Sequence, residues 1–484
     1  MERDPWFEPA HAATPGGDGG DAVASEGGDG PGFGGWSAPH AAVGGGIGHD
    51  LPPEPAQGAT RHDDAQNLAL ATSDAEVDAL NAGFYGAIQY PWPPFYFERL
   101  GDPRFWADML DQDVGRRERP VLPPAGARVW VAGCGTNQAV ITALMFPGAQ
   151  VLGTDLSDGS LRVAERNARQ LGVQNLELRG ESILQGGYAE EFDYVVCTGV
   201  VHHTATPGRT LACLAAALRP AGVMQLMVYN RYHRTFSTAF QKALRLLSGK
   251  QGYDYEAQLD LARRFVHHYD GPGEMPAWLA EYADAPDAQL ADVLIQPVEH
   301  SYTVESLDRM AGQAGLELLA PVPNAEDAAG DTLHWELEMG DPGLQRAYDA
   351  LPDPERWQVT NLLGLEASPM LWFYLQRRDS PCPRRSTRAL CEAFLDGRFV
   401  PARTTRRVHT RGPDGEYRAT PDQEVPFPVL RGRGDPRRVL EALDPREPMR
   451  ATLQRLGIPV DSLPAVNRLR VLLASSAFPY LRAI

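Results

Sequence analysis

Between residues 128 and 230, short apolar runs alternate with amphipathic stretches. Val129-Trp130-Val131-Ala132 stops at glycines, and Val151 to Asp155, Leu176 to Gly180, Tyr194 to Cys197 and Val223 to Val228 repeat the type. Short apolar runs bounded by turn formers predict buried strands. After Asp155, Ser157 or Asp158 is placed to cap a helix with Leu161, Ala164, Ala168 and Leu171 on one face and Gly172 as its stop. Thr206-Pro207 opens another, striped by Leu211, Leu214 and Leu218 and ended by Pro220 and Gly222. Strands alternating with helices in this way define an α/β fold with a doubly wound, mostly parallel sheet.

The rhythm breaks over residues 231–295. There Phe236, Phe240, Leu244 and Leu247 share one helical face, and Tyr255, Leu259, Ala262 and Val266 another, which predicts a helical insertion after the fifth strand. Tyr302-Thr303-Val304-Glu305 reads as a helix entry and Leu316-Glu317-Leu318-Leu319 as a strand. Met370 to Leu375 reads as a buried strand closing the sheet. Upstream, residues 63–120 form a helical segment interrupted by Tyr90-Pro91-Trp92-Pro93-Pro94-Phe95-Tyr96, an extended aromatic run that either plugs the core or lids a pocket. Residues 1–62 are glycine-rich without apolar periodicity, as expected of a disordered tail. The domain expected over 121–378 is followed by an appendage, 381–484, in which Val408-His409-Thr410 and Tyr417-Arg418-Ala419 flank a Gly-Pro-Asp-Gly turn.

Charge and composition exclude several classes. With 45 Lys+Arg against 63 Asp+Glu the net charge is −18, unsuited to non-specific nucleic-acid binding. The appendage carries 19 arginines and 11 acids, a net of +8, which leaves −26 on the remainder. Five cysteines without a CxxC pair make neither a disulfide framework nor a zinc site, and no carboxylate–histidine spacing suggests another metal. No apolar run is long enough to span a membrane and the acidic start lacks a signal-peptide core, so a cytoplasmic protein is expected.

The chemistry concentrates after the first strand, where Gly133-Cys134-Gly135-Thr136-Asn137-Gln138 turns into a helix. Glycines there let a ligand approach the backbone. Twenty residues beyond Gly135, Asp155 ends the second strand, where an acid accepts hydrogen bonds from both ribose hydroxyls of an adenosine group. A dinucleotide fingerprint needs a third glycine where Gln138 stands. Asn137 and Gln138 instead suit a small amino-acid carboxylate, which favours S-adenosylmethionine over a nicotinamide cofactor.

On VWVAGCGTNQ, VLGTDLS, LELRGES, FDYVVCTGVVHHTATP and LRPAGVMQLMVYN the chain resembles the class I S-adenosylmethionine-dependent methyltransferases. In the upstream YPWPP and the downstream Asp292…Pro297…Tyr302-Thr303 run it is also similar to some bacterial members found with tetratricopeptide proteins. The resemblance implies that Gly133, Cys134 and Gly135 pass under the methionine part, that Asp155 binds the ribose and that Leu156 packs on adenine. Glu181 and Ser182 would lie near the adenine amino edge, and Thr198 and Gly199 beside the sulfonium. Trp130 stands where an acid is commoner, Ala132 where glycine is frequent, and Ser182 where the family usually has an acid.

A hydroxyl or protonated-amine acceptor needs a base, and His202 or His203 is the candidate, with the alternative that the pair only fixes a loop. In extended chain at most one of two adjacent histidines faces the cofactor. Tyr229 and Asn230 leave the fifth strand at the edge where ligands bind and are candidates for the acceptor pocket, the alternative being an Asn-capped turn. Cys197 lacks a following proline and reads as core, and His267-His268 as surface. The expected activity is methyl transfer to O or N of a small metabolite or peptide. A non-catalytic cofactor-binding scaffold and a nicotinamide-dependent reductase are the other readings.

Overall fold

A computed structural model describes residues 68–69, 73–87, 94–249, 253–324, 335–365, 367–420, 423–426 and 434–484. The tail expected over 1–62, and Tyr90 to Pro93 of the aromatic run, lie outside the described residues. Strand β1 (Leu68–Ala69), helix α1 (Asp74–Ala87), strand β2 (Tyr96–Leu100) and helix α2 (Phe105–Val114) precede the alternating segment. That segment runs β3 (Arg128–Ala132), α3 (Gln138–Met145), β4 (Gln150–Asp155), α4 (Asp158–Gln170), β5 (Leu176–Gly180), β6 (Phe192–Thr198), α5 (Pro207–Ala217) and β7 (Leu218–Tyr229). Ser157 caps α4 by accepting the Ser160 amide at 3.1 Å.

Among the described residues the insertion forms four helices, α6 (Thr235–Ser248), α7 (Tyr255–His268), α8 (Met275–Ala280) and α9 (Asp287–Leu294). Then come β8 (Val298–Glu299), α10 (Val304–Gln313), β9 (Leu316–Pro321), α11 (Pro342–Asp349), α12 (Asp353–Gly364) and β10 (Met370–Arg377). Seven strands form one sheet in the order β5-β4-β3-β6-β7-β10-β9. Pairing is parallel from β5 through β7, and β10 is antiparallel to both its neighbours. The last strand in sequence is therefore inserted beside β7, and β9, not Met370–Arg377, forms the edge.

Period-two alternation covers both faces of the sheet. Trp130 and Ala132 join Phe192, Leu211 and Phe373 in one cluster, while Val129 and Val131 join Tyr194, Val223 and Tyr374 in the other. The indole N–H of Trp130 donates to Thr154 Oγ1 at 2.9 Å, so its burial leaves no donor unmet. Strand order reverses at β3, with β4 on one side and β6 on the other, and this opens a crevice at the carboxyl edge. The insertion has its own core of Phe240, Leu244, Leu259, Ala262 and Leu290, shared with Phe84 and Tyr85 of α1. Leu247, expected on that face, is 64% exposed in the last turn of α6.

Beyond β10 lie α13 (Thr387–Asp396), β11 (Phe399–Pro401), β12 (Arg403–Arg411), β13 (Tyr417–Ala419), β14 (Gln423–Pro426), α14 (Asp435–Glu441), α15 (Met449–Arg455), α16 (Leu463–Ala474) and β15 (Leu481–Ala483). Phe394, Leu453, Leu463 and Leu473 belong to a core of this region's own. It is nonetheless tied to the rest of the chain. β12 pairs antiparallel with β2 from Arg406–Leu100 to Thr410–Tyr96, and Arg482 bridges Asp102 and Asp108. Of the aromatic run, Tyr96 belongs to that sheet and Phe95 is 69% exposed, so neither plugs the core.

Candidate functional site

The chain leaves β3 through two glycines in the left-handed region, Gly133 at φ +69° and Gly135 at φ +58°. A Cβ on Gly133 would stand 2.5 Å from Val200 Cγ2, so the turn closes only with glycine there. The Gly135 amide donates to Asp155 Oδ2 at 2.8 Å, and the Ser157 amide donates to Oδ1 at 2.7 Å. Asp155 thus joins the ends of β3 and β4. Burial pushes its carboxyl up to about 8, with the backbone amide bonds pulling the other way. A buried carboxylate in that state gains from every further donor brought to it. Gly133, Asp155, Leu156, Glu181, Ser182 and Val200 line one cleft, together with Asp78, Ile183, Leu184, Thr204 and Thr210.

Five of the residues singled out in the sequence, Gly133, Asp155, Leu156, Glu181 and Ser182, therefore meet in one place. The others divide. Cys134 is buried beneath β4, burial pushes its thiol up, and only its main chain remains for a ligand. Asn137 Oδ1 accepts from Asn167 Nδ2 at 3.0 Å, and Gln138 Nε2 donates to Thr198 Oγ1 at 2.6 Å. These bonds brace the turn against α4 and β6. Gly199 follows Thr198 with its amide on the Met227 carbonyl at 3.2 Å, and leads to Val200 against Gly133. Cys197 is core, its thiol pushed up to about 12 by burial.

His202 and His203 occupy a single turn of 3-10 helix, Val201–His203, rather than extended chain. Both rings are consequently buried on the same side, against Tyr229. Centroids are 4.2 Å apart between the two histidines, 3.9 Å from His202 to Tyr229 and 5.5 Å from His203 to Tyr229. The turn is helical rather than extended, so the two rings do not point opposite ways. His203 Nδ1 lies 2.8 Å from the Val298 carbonyl. A carbonyl only accepts, so Nδ1 carries the proton and Nε2 the lone pair. Burial pushes His203 down to about 4, which keeps it neutral at physiological pH.

Tyr229 carries the Arg234 guanidinium over its ring at 4.3 Å, and Arg234 forms a buried two-pronged pair with Glu299 at 2.8 and 2.5 Å. Asn230 is corrected. Its Nδ2 donates to the Leu365 and Ser368 carbonyls at 2.9 and 2.7 Å, and its Oδ1 accepts from the Tyr232 amide and Asn361 Nδ2 at 3.3 and 3.1 Å. The amide is saturated and joins β7 to α12, with nothing left for a substrate.

Helix α1 was not singled out in the sequence. Asp78 lines the cleft, Asn81 Nδ2 donates to the His203 carbonyl at 2.7 Å, and Asp74 accepts from Thr206 Oγ1 and Arg209 Nη1 at 2.6 and 2.7 Å. Their i, i+4, i+7 spacing was the available signal, a polar stripe on one helical face.

A glycine turn at the switch point of a parallel sheet, with a strand-end acid tied to it, defines a nucleotide-type cofactor fold. A family model described as "Methyltransferase domain" matches residues 130–224. The chain is 31% identical over 184 residues to the ubiquinone biosynthesis O-methyltransferase of Paracidovorax citrulli, spanning 35% of this chain and 70% of that one. The corresponding protein of Xanthomonas axonopodis pv. citri is 32% identical over 163 residues, 33% of this chain and 62% of that one. A Synechococcus sp. protein described only as uncharacterized is 29% identical over 272 residues, 53% of this chain and 61% of its own length. The chain thus spans somewhat under two thirds of these last two relatives. Among solved structures, PKMT2 from Rickettsia typhi in complex with AdoHcy superposes with a TM-score of 0.47 at 16% identity, over 68% of this chain and 66% of that one. The chain belongs to the class I S-adenosylmethionine-dependent methyltransferases.

Among the described residues, no helix is long and apolar enough to cross a membrane.

Proposed function

We propose that this chain transfers a methyl group from S-adenosylmethionine to an oxygen or nitrogen of a small metabolite or peptide, with oxygen the first acceptor to test. The observation that carries the reading is the closed arrangement of Gly135, Asp155 and Ser157 at the switch point, beside a cleft lined by Asp155 together with Leu156, Ile183 and Leu184. That donor set fits an adenosine group: an acceptor for ribose hydroxyls, then apolar faces for a ring. Relatives named O-methyltransferases support the choice of oxygen.

When bound, the cofactor supplies an electrophilic methyl on a sulfonium, whose leaving group is a neutral thioether and needs no acid. The chain's own task is alignment, which is worth several kcal/mol, about 7–11 in the best cases. Gly133 and Gly135 let the cofactor's amino-acid end approach the main chain, and Asp155 fixes the ribose. His203 Nε2, the unprotonated nitrogen, is the group to take a hydroxyl proton, while Tyr229 and His202 wall its ring. The buried Arg234–Glu299 pair holds that wall in place.

The test is incubation of the pure chain with methyl-labelled S-adenosylmethionine and fractionated extract of its own cells. Label is expected in a base-stable small-molecule or peptide product. Tight cofactor binding with no label transferred to any fraction would replace this reading by the scaffold, and preferential binding of a nicotinamide dinucleotide by the reductase.

A further inference from the structure

The cleft is lined by the aliphatic side chains of Leu156, Ile183 and Leu184 and by the polar ones of Glu181, Ser182 and Asp78. A flat heteroaromatic ring seated among those aliphatic side chains would offer its polar edge to these groups. Ser182 Oγ donates to Asp78 Oδ2 at 2.9 Å, although the two residues belong to separate elements, the turn after β5 and helix α1. Glu181 is otherwise engaged, its carboxylate accepting the Tyr188 hydroxyl. Asp78 is held in position from both sides along its helix. One turn before it Asp74 grips Thr206 and Arg209, and nearly one turn after it Asn81 grips the His203 carbonyl.

We infer that Asp78, reaching into the cleft from helix α1, accepts the exocyclic amine of the cofactor's adenine and is the residue that selects adenine over other purines. The inference rests on the reading of the cleft as the S-adenosylmethionine site and deepens it. Asp78 has a neutral hydroxyl as its hydrogen-bond donor and the like charge of Asp74 nearby, and burial pushes its carboxyl above the usual range. A second donor from a ring amine satisfies it, whereas the carbonyl of a 6-oxopurine sets oxygen against oxygen. Ser182 then acts as a positioning residue, its hydroxyl orienting the carboxylate.

The experiment is calorimetric titration of the full chain with S-adenosylhomocysteine, its 6-desamino analogue and its 6-oxo analogue, for wild type, Asp78→Ala and Asp78→Asn. Wild type is expected to bind the desamino analogue roughly tenfold or more weakly than S-adenosylhomocysteine, the range for a bond to a charged acceptor. Asp78→Ala should lose that factor for S-adenosylhomocysteine and leave the desamino affinity within about twofold. Asp78→Asn, whose amide also donates, should narrow the gap between S-adenosylhomocysteine and the 6-oxo analogue. Should Asp78→Ala fail to fold, the wild-type comparison and Asp78→Asn carry the test. Equal wild-type affinity for the amino and desamino ligands overturns the inference while the cofactor site stands. Equal losses for both ligands in Asp78→Ala also overturn it, since a structural role alone does that. A wild type that binds none of the three overturns the cofactor reading itself, and this inference with it.

Discussion

A single methyl-bearing carbon at Gly135 decides whether the turn after β3 survives. Its φ of +58° is strained for any other L-residue, and its amide is spent on Asp155. Gly135→Val is therefore expected to abolish measurable S-adenosylmethionine binding while circular dichroism reports an intact fold; normal binding in that variant contradicts the turn's role. His203 supplies the pH dependence. Burial lowers it to about 4, below its ordinary 6.5, so its base form persists until the pH approaches 4. The rate profile for an oxygen acceptor should be flat between about pH 5 and 7 and fall only below, and His203→Ala should lower kcat by about 10²–10⁴-fold. A profile breaking near 6.5 assigns the proton to another group. At this scale the sequence carried the small residues and the strand-end acid, because main-chain geometry and charge leave a local trace. It did not carry Asn230's saturation or the side on which two adjacent histidines emerge. Both depend on partners such as Ser368, Asn361 and Tyr229 that only tertiary packing supplies.

Strands β3, β4, β6 and β7 were legible because each is largely buried on both faces and so reads as an apolar run, whereas β5 lies at the sheet edge with Glu177 and Arg179 exposed. Helix α4 was legible to its cap. Ser157→Ala should cost about 1 kcal/mol of unfolding free energy, within the 0.5–2 typical of an N-cap, with the helix otherwise retained; an unchanged denaturation midpoint contradicts the capping role. Other elements hid for physical reasons. β10 is an apolar run, but nothing in its composition distinguishes an inserted antiparallel strand from an edge. β12 reads RTTRRVHTR, and its buried positions, Thr404 and Arg406, lie where it pairs with β14 and β2, which come from elsewhere in the chain. α1 contacts the site through carboxylates and an amide, so its functional face looked like a solvated one.

Across the whole molecule, opposite charge on the two halves raised two possibilities for the arginines after Pro381: docking on the acidic remainder, or capture of an acidic acceptor. Arg384 donates to the Leu318 carbonyl and to Asp353 at 2.8 and 2.6 Å, Arg406 pairs with Glu98 at 2.9 Å, and Ser476 bonds the buried Asp113 beside Tyr374. Exposed pairs alone are worth about 0–1 kcal/mol each, so the apolar contacts of Ala402 with Leu100, Phe105 and Met109 matter as much. Truncation after Arg378 should lower the melting temperature by several degrees and leave the acceptor KM of the folded fraction unchanged. A raised KM at full stability points instead to acceptor capture. The most direct test of the central claim, that the cleft joining Gly133, Asp155 and Leu156 is the S-adenosylmethionine site, is titration calorimetry of wild type and Asp155→Ala. The account predicts saturable binding to the parent chain and a loss of about 1.5–3 kcal/mol, tenfold or more, in a variant that still melts cooperatively. Equal affinity in the two proteins would contradict it.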